Sequence, residues 1–470
     1  MLKRLASYFI SVFGKDNANA LYIRIIENKQ IPLTKFQGIL FIIFNIVVNI
    51  PGIKRKVYNL KKEYDNKIIG YNSDIINTSL CSIYDLPDVA VSDRRPRTIN
   101  VLVPAFSIST ISAGFFGVFH LAKYISSLGF NTRLVLFDNF HYDKEVFEKS
   151  LKHYPGLENL FDIMEIEYIG GRYKPLLVSE HDEVVATVWY SAYFAKKILE
   201  EINKNKPFLY LIQDYEAAFY PANSLFCLAH ETYRMNYAAF VSTKPLFDFL
   251  EEKFNEFKEK ARNNQAVYFN NACSARLDRK EDFIQMHKKK NKTFAFYSRP
   301  SVNRNMFDIG VLAIITAWRE GIFQDGNNWK LFGMGIGNVE VHLDKENKLI
   351  QLPRMSLSEY ENTIKGVDIA LSLMASPHPS ITPFDIAGIG GLVVTNSFEN
   401  KDQKYFSNIS SNIIVRKPFL YDLVDGIEKA ISMIDLISER YDSAASINYP
   451  TSWEKVFSEE HSKLIIELFR

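Results

Sequence analysis

Three short segments of this 470-residue chain carry residues suited to binding and moving polar groups. The first is SPHPSITPFDIAGIGGLVVTN, Ser376 to Asn396. It follows the apolar run VDIALSL (Val367 to Leu373), and Gly390 and Gly391 lead into a second apolar run, LVVT. Thr382 suits an N-cap and Pro383 the first helical position, so the spacing predicts a short helix opening there. A polar loop is then delivered to the carboxyl end of a parallel strand, against a helix N-terminus. The free N–H groups and dipole of that end favour an anion such as a diphosphate. His378, Ser380 and Thr382 lie along this loop, and Asp385 in the first turn is placed to accept from a ribose or sugar hydroxyl. An ordinary strand–loop–helix connection with an acidic first turn has the same pattern.

The second segment is QDYEAAFYP, Gln213 to Pro221, at the end of the strand-like run FLYLI. An amide and two carboxylates, Gln213, Asp214 and Glu216, are followed by aromatic faces at Tyr215, Phe219 and Tyr220. Such a set suits a hydroxyl-rich ligand, with Gln213, Tyr215 and Tyr220 as binding candidates. Asp214 or Glu216 is placed to act as general base toward a hydroxyl. The competing reading is a pair of structural carboxylates capping the next helix.

The third is FYSRPSVNRN, Phe296 to Asn305. Arg299 and Arg304 stand at the exit of a strand, where two guanidiniums suit a diphosphate. Plain surface arginines are the alternative. GMGIG (Gly333 to Gly337) ends the next strand, where Gly333 permits close approach to a nucleobase or a simple turn. LPRMSLSEY leads into a helix near Leu357, whose backbone is placed to read a base edge. Earlier in the chain, SISTISAGFFG follows a strand. Gly114 and Gly117 there let the backbone pass close to a ligand or pack tightly. It is not a GxGxxG fingerprint, so a nicotinamide cofactor has little support.

The elements that carry these segments alternate between strand and helix. TINVLVPAF (Thr98 to Phe106), a helix over Ser112 to Leu128 and NTRLVLFDN (Asn131 to Asn139) form a βαβ unit. DIMEIEYIG, DEVVATVWY, FLYLIQDYE and AAFVSTKP read as further strands. After the charged stretch Ala275 to Lys292, a second series begins with TFAFYSR, WKLFGMG, KLIQL, VDIALSL, LVVTN and SNIIVRK. Helices are predicted over Asn305 to Arg319, Leu357 to Lys365 and Trp453 to Arg470. The fold class is α/β, with two Rossmann-like domains and a ligand cleft between them. The expected division is a helical extension over 1–95, domains over 96–280 and 281–440, and a helix over 441–470 that packs back toward the first domain.

Composition sets bounds. Hydrophobic residues make up 47% and charged residues 23%, with a formal net charge of +2. Bulk charge therefore argues against a nucleic-acid partner. Cys81, Cys227 and Cys273 show no metal spacing, and the histidines form no HxxxH or HExxH pattern, which fits a reducing cytoplasm without a zinc site. No DxD carboxylate motif stands at a suitable strand end. The N-terminus lacks a convincing signal-cleavage site. The uncharged run Phe36 to Ile53 is flanked by Lys35 and by Lys54, Arg55 and Lys56. It falls short of the roughly 20 residues a spanning helix needs. An interfacial helix with basic anchors fits it, as does a helix packed on the protein.

Together, QDYE…FYP, FYSRPSVNRN, LSEY and the PHPS loop before GG.VVTN resemble the WsaF-like bacterial rhamnosyltransferases. These are GT-B glycosyltransferases related to glycosyltransferase family 4. The resemblance extends from about Asn100 to about Pro418. It implies two facing Rossmann-like domains, acceptor in the first and nucleotide-sugar in the second. It implies donor contacts at Arg299, Arg304, His378, Ser380, Thr382 and Asp385, with Gly114 in the loop facing the donor. It also implies transfer from a nucleotide-sugar, dTDP-rhamnose being favoured, to a growing lipid-linked surface polysaccharide. No cofactor or metal is expected, and the place of action would be the inner face of the cell membrane. Two departures stand out. Family 4 enzymes carry two glutamates where this chain has Pro377 and Asp385, and Ala113 replaces the first of a glycine pair. A GT-B epimerase and a non-catalytic glycan-binding subunit are the alternative functions.

Overall fold

The computed structural model describes residues 83, 85–104, 113–138, 142–152, 154–172, 174–274, 277–337 and 340–470. The apolar run Phe36 to Ile53, most of the expected extension over 1–95 and the SISTIS loop lie outside the described residues.

Strands in the first half are β1 (Val89–Val91), β2 (Ile99–Val103), β3 (Thr132–Leu136), β4 (Glu165–Tyr168), β5 (Leu176–Val178), β6 (Glu183–Ala186), β7 (Phe208–Ile212), β8 (Tyr237–Ser242) and β9 (Ala266–Phe269). Seven of these form a sheet of order β4-β3-β2-β6-β7-β8-β9, while β1 pairs with β5. Strands β2, β3, β7 and β8 are buried along their whole length. That is why they read as near-continuous apolar runs, as parallel strands covered on both faces do. Arg133 in β3 is the exception. Its guanidinium is buried, pairs with Glu167, and donates 2.8 Å hydrogen bonds to Asn100 Oδ1 and the Leu177 carbonyl.

The second half supplies β10 (Asn291–Tyr297), β11 (Asn328–Met334), β12 (Glu340–His342), β13 (Lys348–Gln351), β14 (Ile369–Leu371), β15 (Leu392–Asn396) and β16 (Ile413–Arg416). Their order is β12-β13-β11-β10-β14-β15-β16, parallel except for the edge strand β12. The alternation of β10 divides two cores. Phe294 and Phe296 face one cluster with Ile314, Leu371 and Ile427, whereas Ala295 faces another with Phe384, Val393 and Phe406. The chain leaves β10 toward β11 and returns on the other side at β14. The connections after β10 and β14 thus diverge, which makes this the switch point where ligands bind in open α/β sheets.

Three predicted boundaries shift. The helix expected from Asn305 starts at Phe307, after a 3₁₀ turn at Asn303–Asn305 and a left-handed Met306 (φ 52°). The reason is tertiary. The Arg304 carbonyl accepts from Ala375 N–H at 2.7 Å, and Asn305 Nδ2 donates to the Leu373 carbonyl at 3.3 Å. Those bonds hold the segment out of the helix. The short helix after the PHPS loop is Thr382–Gly388, with Ile381, not Thr382, at the N-cap. The last helix is Glu459–Phe469, preceded by a separate turn at Trp453–Lys455.

By internal contacts the described residues form two compact units. One comprises those up to Leu211 with Cys227–Ala238 and Ile465–Arg470, the other Ile212–Phe226 with Ala239–Leu464. The QDYE segment, both arginines and the PHPS loop all belong to the second unit.

Candidate functional site

Asp214, two residues beyond β7, is buried. Its Oδ1 accepts from the N–H of Tyr215 at 2.9 Å and from the Ser376 hydroxyl. Its Oδ2 lies 3.2 Å from Arg304 Nε. The Arg304 guanidinium in turn sits 4.3 Å from the centroid of the Phe219 ring. Two of the three sequence segments therefore meet in one ion pair, and the third joins through Ser376. Cation–π contact and a charged partner together fix the guanidinium plane.

The PHPS loop folds on itself. Ser376 Oγ accepts from His378 N–H at 3.0 Å, and His378 Nδ1 accepts from Ser380 N–H at 3.0 Å. An accepting Nδ1 leaves the ring proton on Nε2, which lies 3.4 Å from Ser242 Oγ. Burial pushes His378 down to about 4; Asp214 opposes this, while the Arg304 and Lys401 charges reinforce it. The imidazole is neutral at neutral pH. Ser380 takes the left-handed conformation, φ 64°.

Beneath the loop lies Lys401, with no exposed surface. Its Nζ donates to the Met374 carbonyl at 2.6 Å. Asn396 brackets the same residue, accepting from Met374 N–H at 2.7 Å and donating to its carbonyl at 3.0 Å. Burial pushes Lys401 down to about 7, against the opposing pull of Asp214. Neither Lys401 nor Asn396 is singled out by sequence. SFENKDQKY is a polar stretch after a strand, and nothing in its spacing separates the buried lysine from the solvated one.

Arg299 follows β10, and its buried Nε has no hydrogen-bond partner among the described residues. Next to it the backbone of β11 comes very close. A Cβ on Gly335 (φ 136°) would lie 2.2 Å from the Ser298 carbonyl oxygen, and one on Gly333 would lie 2.4 Å from Gln351 Oε1. Leu357 opens the helix Leu357–Lys365, whose N-cap Ser356 forms a capping box with Glu359. Gly114 is the second residue of the helix Ala113–Ser127.

Asp385 sits in the first helical turn as the sequence implies, but both of its oxygens are engaged by the protein. Oδ1 accepts from Ser274 N–H at 2.7 Å and Oδ2 from the Tyr360 hydroxyl at 2.9 Å. Burial raises its pKa to about 7. Thr382 beside it is also buried. Tyr215 corrects an expectation. Its ring packs in the core against Phe249 and Phe254, with centroids 5.0 and 6.3 Å away, so it offers no free stacking face. Apolar ring burial outweighs the exposure that its neighbours in QDYE suggested. Phe219 is covered by Arg304. Glu216 and Tyr220 are half-buried at the two ends of a 3₁₀ turn, and Gln213 Oε1 is buried without a hydrogen-bond partner among the described residues. Among the described residues no group of three or more His, Cys, Asp or Glu side chains is placed to hold a metal.

The arrangement suits an anion at the divergent strand ends, with arginines to neutralise it and carboxylates nearby. Comparison with known proteins gives the family and the fold. Residues 98–243 match the N-terminal domain of WsaF and residues 292–428 its C-terminal domain, together more than half the chain. The O-antigen biosynthesis protein RfbC of Myxococcus xanthus is 24% identical over 279 residues, 58% of this chain. The chain spans only 20% of that relative's length. Among solved structures, S. aureus TarM has a TM-score of 0.57 at 9% identity, covering 80% of this chain and 100% of TarM. Anabaena HepE in complex with UDP-glucose has a TM-score of 0.53 at 12% identity, covering 79% of this chain and 99% of HepE. These likenesses establish the GT-B fold.

Proposed function

We propose that this chain, a glycosyltransferase belonging to the WsaF family, moves rhamnose from dTDP-rhamnose to a growing, lipid-linked surface polysaccharide. The observation that carries the reading is the Arg304–Asp214 pair at the switch point of a parallel sheet, with Arg299, whose Nε has no hydrogen-bond partner among the described residues, leaving the same strand. HepE binds UDP-glucose and TarM binds UDP, which supports a nucleotide-sugar as the donor here.

In the proposed reaction the bond between the anomeric carbon and the diphosphate oxygen breaks, and the acceptor hydroxyl oxygen forms the new bond. Arg299 and Arg304 stabilise the charge that develops on the leaving diphosphate, in place from the start and largely out of water. The hydroxyl proton passes to a carboxylate, for which Asp214 and Glu216 are the candidates. Gln213 and Tyr220 orient the acceptor. Gly333 and Leu357 bring backbone up to the nucleotide, and the loop of His378, Ser380 and Thr382 shapes the sugar side. Asp385 acts from behind that loop, by fixing the Thr382–Gly388 helix against Tyr360. Neutralisation by arginine makes the reaction metal-independent. The basic, apolar N-terminal segment holds the enzyme at the inner membrane face. Among the described residues no helix is long and apolar enough to cross a membrane.

The test is turnover of dTDP-rhamnose, UDP-glucose and other nucleotide-sugars, with and without a lipid-linked glycan acceptor. Consumption of dTDP-rhamnose that requires acceptor is the expected result. Use of UDP-glucose instead would overturn the donor assignment. Release of free sugar without acceptor would favour an epimerase. Binding without turnover of any donor would favour a glycan-binding subunit.

A further inference from the structure

Lys401 is a buried cation short of partners. Met374 is the one hydrogen-bond acceptor its ammonium has among the described residues. Buried ammonium groups are normally paired, because desolvating an isolated charge is costly. Asp214 beyond β7 and His378 from the loop after β14 face it, and Arg304 from the turn after β10 faces both of these. Of these, His378 is neutral, and Asp214 is already ion-paired with Arg304. One carboxylate thus serves two cations. The cluster is one negative charge short, and it lies at the strand ends where a ligand is expected.

We propose that Lys401 is a positioning residue for the donor diphosphate: it anchors Met374, from which the loop to Ser380 hangs, and its charge offsets that of Asp214 while Arg304, already in place, meets the diphosphate. The inference rests on the nucleotide-sugar reading above. It has a consequence that packing alone would not produce. In the free protein burial holds Lys401 near 7, so at pH 8 the amine is mostly neutral. A bound diphosphate supplies the missing negative charge and returns the proton. Donor binding at pH 8 therefore takes up a proton from solvent. His378, titrating near 4, contributes nothing at that pH. Asp385 is the other group held near neutrality, so a variant must separate the two.

The experiment is titration calorimetry of the full chain with dTDP and with UDP at pH 8. It is run in two buffers of different ionisation enthalpy, on the unmodified protein, Lys401→Met and Lys401→Arg. Proton uptake is expected in the unmodified protein. Lys401→Met should lose it and bind about tenfold more weakly, the scale of one charge-assisted contact. Lys401→Arg should keep most of the affinity without the uptake. Binding by the unmodified protein without proton uptake would overturn the proposal, and needs no variant to fold. Unchanged affinity and uptake in Lys401→Met would overturn it too, and would assign the proton to Asp385. No binding of either nucleotide would instead remove the reading on which the inference stands.

Discussion

Arg304 has two partners that together hold one orientation. Asp214 holds its Nε side, and Phe219 holds its face. A lysine in its place keeps the charge but neither the planar fork nor the stacking. Arg304→Ala is expected to weaken dTDP binding by roughly 1.5–3 kcal/mol, the scale of hydrogen bonds to charged groups. Arg304→Lys should recover only part of that. Arg299→Ala should show a loss of the same order. Calorimetry with affinity unchanged in both alanine variants would remove the diphosphate assignment. Asp385 yields a pH prediction. Its folded value of about 7 lies above the ordinary carboxylate value of 3.8. The folded state then binds the proton more tightly than the unfolded chain. This stabilisation is complete below about pH 4 and fades as pH rises through about 7. Asp385→Asn cannot titrate and keeps an acceptor for Ser274 N–H. Thermal melting should therefore show a flatter dependence between pH 4 and 8, with melting at pH 8 no lower than in the unmodified protein. Donor affinity should fall all the same, because the proposed role is to fix the helix behind the loop. A variant that melts many degrees lower with donor affinity intact would make Asp385 purely structural.

At the scale of elements, β10, β11 and their exits decide how the site is held. The connection Ser298–Arg299 passes under Gly335, whose φ of 136° is accessible in practice to glycine alone. A methyl group there meets the Ser298 carbonyl, a backbone atom that cannot rotate away. Gly335→Ala is expected to cost about 1–3 kcal/mol from conformation alone, with the clash added. Because the displaced backbone carries Arg299, donor affinity should fall along with melting temperature. Gly337→Ala makes a useful comparison. It shares the unusual φ, at 143°, but its methyl would meet only Pro300 ring carbons at 3.1 Å. Equal losses of donor affinity in the two variants would show that strain, not displacement of Arg299, is responsible. Much of this element layout was legible in the sequence, since strands buried on both faces leave continuous apolar runs. The start of the Phe307–Arg319 helix was not. It depends on bonds from Arg304 and Asn305 to the loop after β14, which no local pattern announces.

At the scale of the whole molecule the chain has the GT-B fold and belongs to the WsaF family, and two of its proposed properties are testable there. Charge on the leaving group is met by arginine side chains, so transfer should proceed undiminished in EDTA. Loss of activity on chelation, with recovery on adding Mg²⁺ or Mn²⁺, would disprove the metal-independent mechanism. The N-terminal segment should bind anionic vesicles, with basic residues near the surface worth about 1 kcal/mol each. Full-length protein should float with anionic liposomes and release with salt, whereas a truncation starting near Ser92 should not float. Equal behaviour of the two would leave that segment without a membrane role.

The amino-acid sequence was enough to establish the two series of parallel strands and the polar loops at their carboxyl ends. Burial on both faces requires apolar runs, and loops leaving such strands must be polar to satisfy their backbone. It was also enough to put forward Asp214, Arg299 and Arg304 as candidates, charged residues in the loops that leave buried strands, whereas His378 came forward through the family resemblance. What folding alone settled is which of them meet. Asp214 and Ser376 stand 162 positions apart. Their contact depends on strand order and on the path of each connection, both of which are non-local. The inward turn of Tyr215, the double engagement of Asp385 and the burial of Lys401 have the same origin. A side chain's direction is set by the neighbours that the fold assembles around it, and those neighbours are distant in sequence.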